Sequence, residues 1–92
     1  MKTLVIYDVT EDVVRNEVAR ICESFGLMRI QKSAFIGYLP SSRRKELSIR
    51  LRKAVAGANA NVQIFTFCRY CRSLREIIGG DLEHEAPSTI VL

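Results

Sequence analysis

Residues 3–10 carry the sequence Thr3-Leu4-Val5-Ile6-Tyr7-Asp8-Val9-Thr10, and this stretch decides the fold. Its run of β-branched and aliphatic side chains predicts a central strand of a parallel or mixed sheet. Asp8 lies near the carboxyl end of that strand, where a rigid element can aim a side chain at a ligand or a metal. An aspartate can also begin the turn into the next helix through local backbone hydrogen bonds. The strand alone leaves both roles of Asp8 open.

The chain is short, with 92 residues of which 48% are hydrophobic. This length makes one domain with a thin core, and roughly a third or more of the surface of the unfolded chain stays exposed after folding. Because a second copy can bury further apolar surface, we expect a homodimer.

Residue usage predicts a cytoplasmic protein. The sequence has no apolar run near the ~20 residues of a membrane span and no signal-peptide pattern, so we expect no membrane association. Its three cysteines are an odd number, which suits a reducing compartment better than a disulfide framework.

A first helix is predicted from Thr10 to about Phe25. Thr10 can cap its amino terminus, and Glu11 and Asp12 suit the positive end of the helix dipole. Gly26 would end the helix in a left-handed conformation. The predicted buried stripe contains Val14, Val18, Ile21, Cys22 and Phe25.

The segment from Met28 to Leu39 alternates as strands do, and Gly37 is its least strand-like position. Glycine inside a strand often marks a bulge or a close backbone approach. One bent strand and two short paired strands both fit this pattern, and we favour two strands.

A second helix is predicted after Pro40, capped by Ser41 or Ser42 and extending to about Ala56. Its inward stripe contains Leu47, Leu51, Ala54 and Val55. Six of the 14 basic residues of the chain belong to this helix, namely Arg43, Arg44, Lys45, Arg50, Arg52 and Lys53. A charged run usually forms a solvated face, but the dominance of one sign favours nucleic-acid phosphates as a partner.

The carboxyl-terminal part contains a strand at Val62–Phe67, an acidic linker at residues 81–85 and an apolar, strand-prone segment at residues 88–92. We therefore divide the chain into a domain of residues 1–80 and a linker with a terminal strand at residues 81–92. A terminal strand of this kind commonly pairs with a sheet edge, and we expect that of the dimer mate.

The predicted order of elements is strand, helix, strand, strand, helix, strand, with an extra strand at the end. This βαββαβ order is the ferredoxin-like split βαβ arrangement, an α+β fold. Each helix is long enough to connect parallel strands in the right-handed sense.

Two segments resemble a known protein family. They are Val5-Ile6-Tyr7-Asp8-Val9-Thr10 followed by Arg15, and Gly26-Leu27 followed by Arg29-Ile30-Gln31, Ser33, Phe35, Gly37 and Leu39. Through these residues, about the first forty positions are similar to the CRISPR-associated protein of the spacer-acquisition step, the small partner of the CRISPR integrase. The later elements resemble that family in order and length.

The resemblance implies a ferredoxin-like homodimer in which the aspartate of the first strand faces its mate and holds a divalent metal, Mg²⁺ or Mn²⁺. Asp8 matches that position and is the candidate catalytic and metal-binding residue. Candidate nucleic-acid-binding residues are Tyr7, Arg15, Arg29 and Phe35, which match positions linked to nuclease function, and Arg43, Arg44 and Arg50 of the basic helix.

Two functions remain open for such a protein. One is a metal-dependent endonuclease that cleaves single-stranded RNA or duplex DNA, with two Asp8 carboxylates at the ion because a single carboxylate is a poor magnesium site. The other is a non-catalytic dimeric adaptor that binds duplex DNA and bridges integrase dimers. We favour the endonuclease, and a regulatory or toxin-type domain of the same fold is a third possibility.

The pattern Cys68-Arg69-Tyr70-Cys71 could join Cys22 and His84 in a four-ligand zinc site. A single CxxC is a weak signal, and Cys22 lies on the predicted core stripe. We therefore favour buried, unreactive cysteines and an exposed His84 without a role.

Overall fold

A computed structural model describes residues 1–67 together with Glu76 and Ile78. The elements are β1 (Lys2–Val9), α1 (Asp12–Ser24), β2 (Met28–Gln31), β3 (Ala34–Tyr38), α2 (Ser41–Ala54) and β4 (Ala60–Phe67). This order confirms the predicted βαββαβ fold. The predicted terminal strand, the CxxC pattern and His84 lie outside the described residues. Neither helix within them is long and apolar enough to cross a membrane.

The four strands form one sheet in the order β2-β3-β1-β4, which confirms that β1 is central. Each neighbouring pair is antiparallel, so the predicted parallel or mixed sheet is wrong. The physical reason is that each helix connects two strands that run the same way but are separated by a third strand.

The two faces of β1 have different surroundings. Val5, Tyr7 and Val9 are buried with residues of both helices in one hydrophobic cluster. Ile6 and Asp8 are exposed on the opposite face. A strand places successive side chains on opposite faces, so the burial predicted for the whole strand holds for Val5, Tyr7 and Val9 but fails at Ile6 and Asp8.

The helical stripes are confirmed, with Val18, Ile21, Cys22 and Phe25 buried in α1 or just after it, and Leu47 and Leu51 buried in α2. The predicted starts are wrong by one residue or more. Glu11 occupies the N-cap of α1 and Pro40 that of α2, and neither helix has a side-chain cap. The backbone N–H of Thr10 instead donates to the carbonyl of Asn59, at 3.3 Å.

Two glycines have identifiable roles in this chain path. Gly26 has φ of 81° and follows α1, as predicted for a left-handed residue at that position. A Cβ added to Gly37 would come within 2.7 Å of the Leu27 Cδ2 atom. Gly37 therefore permits a close approach of β3 to Leu27, which precedes β2, whereas the bulge lies in β2 between Arg29 and Gln31.

Candidate metal and nucleic-acid site

Asp8 lies near the carboxyl end of β1, exposed on the face of the sheet that the helices leave open. Its cross-strand partner is Asn61 of β4. Carboxylate and amide oxygens are ligands that Mg²⁺ accepts. Among the described residues, however, no group of three or more His, Cys, Asp or Glu side chains could hold a metal. In the described part of the chain Asp8 is therefore not joined by a cluster of further ligands, and it fits Mg²⁺ only if a second oxygen-rich surface completes the site.

The backbone around Asp8 is held from three directions. The N–H of Tyr7 donates to the carbonyl of Ser33 at 3.0 Å, and that of Thr10 donates to Asn59. Arg15 Nη1 reaches from α1 and donates to the carbonyl of Val9 at 3.1 Å. The position of the Asp8 Cα atom is thus fixed by contacts with a turn, a loop and a helix.

Three of the candidate residues come together, but on the other face of the sheet. The rings of Tyr7 and Phe35 stack with centroids 6.2 Å apart. The Arg29 guanidinium lies 4.8 Å from the centroid of Phe35, and its Nη1 donates to the carbonyl of Lys32 at 2.6 Å. Burial raises the pKa of Tyr7, while the neighbouring Arg29 charge opposes part of that shift. The sheet separates this group from Asp8.

Arg15 is half-buried, with 38% of its side chain exposed. Besides its bond to Val9, the guanidinium forms an ion pair with Asp12 through Nη2. Arg15 is therefore next to the strand end that carries Asp8, although its contact is with backbone rather than with the Asp8 carboxylate.

The arginines of α2 are arranged around an aromatic ring of α1. Arg43 and Arg50 place their guanidinium carbons 4.3 and 5.8 Å from the centroid of Phe25, which is only 6% exposed. Arg43 also pairs with Glu46 at 2.8 Å. Within the described residues, Arg50 has no hydrogen-bond acceptor, and Arg44 is half-buried. Phe25 was predicted only as a core residue, although the seven-residue spacing of the two arginines places them on one side of a helix.

The open face of the sheet carries apolar side chains that the sequence analysis did not single out. Those with large exposed fractions are Ile6 (41%), Met28 (52%), Tyr38 (56%) and Phe65 (40%). Leu4 lies between Ile36 and Phe65 in the strand pairing, and Ile36 is only 2% exposed, so a buried position separates Met28 from the exposed side chains of β1 and β4. Asp8 lies at one end of this apolar face.

Cys22 is fully buried in the core, as the sequence predicted. Burial, helped by the nearby Glu23 charge, raises its pKa to about 12. Since the thiolate is the form that binds metals, this residue is unsuited to a zinc site. The other proposed zinc ligands lie outside the described part of the chain.

Comparison with known proteins gives a consistent result. The family model described as CRISPR associated protein Cas2 matches residues 1–74. A CRISPR-associated endonuclease Cas1/endonuclease Cas2 fusion from Thermoproteus tenax is 52% identical over 65 residues, which make up 71% of this chain and 25% of that protein. A CRISPR-associated endoribonuclease Cas2 from Pyrobaculum aerophilum is 46% identical over 65 residues, covering 71% of each chain. The crystal structure of Streptococcus pyogenes Cas2 at pH 6.5 shares the fold, with a TM-score of 0.70 at 21% identity over 86% of this chain and 100% of that chain.

The protonation of Cys22 leads to a prediction about its reactivity. In a Cys68→Ser/Cys71→Ser variant, Cys22 is the only thiol left, and we expect iodoacetamide to leave it unmodified at pH 8 until urea unfolds the protein. Because its folded pKa of about 12 exceeds the ordinary value of 9.0, its contribution to stability is intact below pH 9 and is lost as the pH rises toward 12.

Labelling followed by mass spectrometry measures the reactivity of the thiol. Urea unfolding curves between pH 8 and 11 measure the pH dependence of stability. A further Cys22→Ala change is the control, since it should remove the part of the loss of stability at alkaline pH that is due to Cys22. Rapid labelling of the native variant would show that the thiol is accessible and contradict the assignment.

Proposed function

Since the chain belongs to the CRISPR-associated protein Cas2 family, we propose that it is a metal-dependent endoribonuclease that takes part in spacer acquisition. The observation that carries the proposal is Asp8, an exposed carboxylate held at the end of the central strand on the open face of the sheet. Single-stranded RNA is the first candidate substrate because relatives such as the Pyrobaculum aerophilum protein are named endoribonucleases. Duplex DNA is the second.

The catalytic unit in this proposal is a homodimer whose open sheet faces pack against each other. The apolar face formed by Ile6, Met28, Tyr38 and Phe65 supplies the surface that would be removed from water. Asp8 lies on the same face, so a two-fold axis near the end of β1 would bring the two carboxylates together. This arrangement supplies a second carboxylate beside Asp8, which the described residues of one protomer do not surround with a ligand cluster.

The proposed cofactor is Mg²⁺ or Mn²⁺, held by Asp8 of both protomers. Such an ion, when bound, stabilises charge on a phosphoryl oxygen and makes a water molecule a better nucleophile. The protein's own part is to hold the carboxylates in place. Backbone bonds from Tyr7 and Thr10 fix the strand end and thereby the direction of the side chain.

The proposed nucleic-acid surface is α2, which contains six basic residues and one acidic residue. Stacking on Phe25 uses the flat faces of the Arg43 and Arg50 guanidinium groups, which leaves N–H groups available for phosphate oxygens. Arg44 adds a cationic donor on the same helix. On the helix-covered face of the sheet, at β2 and β3, Arg29 over Phe35 offers a second cationic site. Contacts of this kind bind phosphates without reading sequence.

Residues 81–92 are proposed to add a strand to the dimer mate, at the β4 edge of the described sheet. A groove of about 290 Å³ lies next to this edge. Its lining is formed by Ser48, Leu51, Arg52, Val55, Val62 and Ile64. Apolar side chains of residues 88–92 would fill the floor, and the acidic residues 81–85 would lie near Arg52.

A second candidate function is that of a non-catalytic adaptor between integrase subunits. It is favoured by the lack of a metal-ligand cluster among the described residues and by the Thermoproteus tenax relative, whose name joins Cas1 and Cas2 in one chain. In that case the dimer and the basic helix would bind duplex DNA, and Asp8 would have no catalytic role. A heteromeric complex with the integrase is proposed for both functions.

The packing of the open faces predicts the oligomeric state. Ile6→Lys places a charge in the middle of the proposed interface, and because Ile6 is 41% exposed in the protomer, the fold should survive while the dimer dissociates. Light scattering after size exclusion measures the mass, and a chain ending at Glu85 tests the terminal strand in the same assay. Ile49→Lys, on the exposed side of α2, is the matched control and should remain dimeric. A monomeric wild type would refute this arrangement.

The basic helix predicts salt-dependent binding of nucleic acid. Replacing Arg43, Arg44 and Arg50 together by Gln should weaken RNA binding and lower the slope of log K against log salt by about 2, the value for three phosphates on a single strand. Fluorescence anisotropy between 50 and 300 mM salt would show this change. Arg20→Gln on α1 is the control because that side chain is exposed and paired with Glu17. Unaltered binding by the triple variant would exclude α2 and leave the Arg29 surface.

The role of Asp8 separates the enzyme from the adaptor. Asp8→Asn keeps the size of an exposed side chain but removes the anionic ligand, so folding should persist while cleavage falls by at least about 100-fold. Chelation of the wild type should have the same effect. The assay is divalent-dependent cleavage of labelled RNA and duplex DNA, with Glu17→Gln purified in parallel as the control. If Asp8→Asn and wild type cleave equally, the activity belongs to a contaminant or another site, and the adaptor becomes the preferred function.

A further inference from the structure

Arg15 and Asp12 form a contact that joins the first turn of α1 to the end of β1. Arg15 Nη1 donates to the carbonyl of Val9 at 3.1 Å, and Val9 directly follows Asp8. Arg15 Nη2 pairs with the carboxylate of Asp12. Both terminal nitrogens of the guanidinium are therefore engaged within the protomer.

The end of β1 is paired on one side only, so the contact with Arg15 adds support there. β1 pairs with β3 only from Lys2 to Ile6, and one further bond joins the N–H of Tyr7 to Ser33. Beyond Tyr7, no described bond to β3 is present, whereas the pairing with β4 continues to Val9. Arg15 contacts the backbone in this half-paired stretch, and a charged donor makes a stronger bond to a carbonyl than a neutral one.

Asp12 determines the direction of the guanidinium. It lies in the first turn of α1, where the helix dipole favours a carboxylate. An arginine side chain has many rotamers, and an ion pair at one edge of its planar group limits them. The helix itself is anchored in the core by Val18, Ile21 and Cys22.

We propose that Asp12 and Arg15, together called the strand-end clamp, are positioning residues that hold the Asp8 backbone in the geometry needed for a metal ion, and that Arg15 is not a phosphate ligand. The inference rests on the proposed metal-binding role of Asp8. It assigns a positioning function to Asp12, and it replaces the nucleic-acid-binding function predicted for Arg15 with a positioning function.

The variants Arg15→Gln and Asp12→Asn test the clamp. Amide exchange and RNA binding are measured without metal, and Mn²⁺ affinity is measured with it. Amide exchange at Val9 and Thr10, followed by NMR, should be on the order of tenfold faster than in wild type, since a hydrogen bond to a charged group is lost or misdirected. RNA binding without metal should keep its salt slope. Mn²⁺ affinity, from paramagnetic broadening of resonances near Asp8, should fall about tenfold, as with other outer-shell partners of metal ligands.

The chain contains a matched control. Arg20 and Glu17 form an ion pair at 2.6 Å with the same three-residue spacing on the same helix. The Arg20 guanidinium has no described contact with β1, so Arg20→Gln and Glu17→Gln should leave both amide exchange and Mn²⁺ affinity unchanged. Arg15→Lys keeps the charge and tests whether the planar group is required; a result between those of wild type and Arg15→Gln supports the clamp.

The sign of the Asp12→Asn effect distinguishes the two roles of Arg15. For a clamp, this change speeds amide exchange and weakens Mn²⁺ binding. For a phosphate ligand, it frees the guanidinium and strengthens RNA binding, while Arg15→Gln lowers the salt slope by about 0.7. That result, or wild-type exchange at Val9 and Thr10 in both variants, would overturn the clamp. Faster exchange in a protein whose wild type binds no Mn²⁺ would refute the metal site and leave the clamp as a structural contact.

Discussion

The alternation of side chains along β1 is the constraint on which the rest of the structure depends. Val5 is completely buried, and its partners across the sheet are Phe35 and Ile64. A slip of one residue would place Ile6 and Asp8 in the helix-side core and expose Val5, so packing of the core pins the register. The accessible position of Asp8 is therefore a consequence of how its neighbours are buried.

The sequence was sufficient for the order of elements, because the helical stripes and the glycine after α1 are local signals. Helix starts were harder. Thr10 is a good capping residue, but its N–H bonds to Asn59, nearly fifty positions away, and no local pattern reports such a contact. The antiparallel sheet was missed for a similar reason, since an apolar run describes burial and does not identify the neighbouring strand.

The candidate site was predictable only in part. Asp8 at a strand end was recognised from the sequence. Its separation from Tyr7 is also predictable, because adjacent strand residues lie on opposite faces. The position of Phe25 between two arginines depends on how α1 packs against α2, and the sequence offered only the spacing of Arg43 and Arg50. Likewise, the Val9 carbonyl bound by Arg15 is a backbone group that carries no sequence signal.

The contact of Arg43 and Arg50 with Phe25 has a consequence for how this helix can diverge. Exchange of arginine for lysine preserves charge, and at the exposed Lys45 and Lys53 either residue meets the same need. A lysine ammonium lacks the flat face that covers an aromatic ring, so the exchange is not neutral at positions 43 and 50. Substitutions that keep the charge of the helix can therefore still change how it packs on α1, because at these two positions the shape of the cation matters as well as its sign.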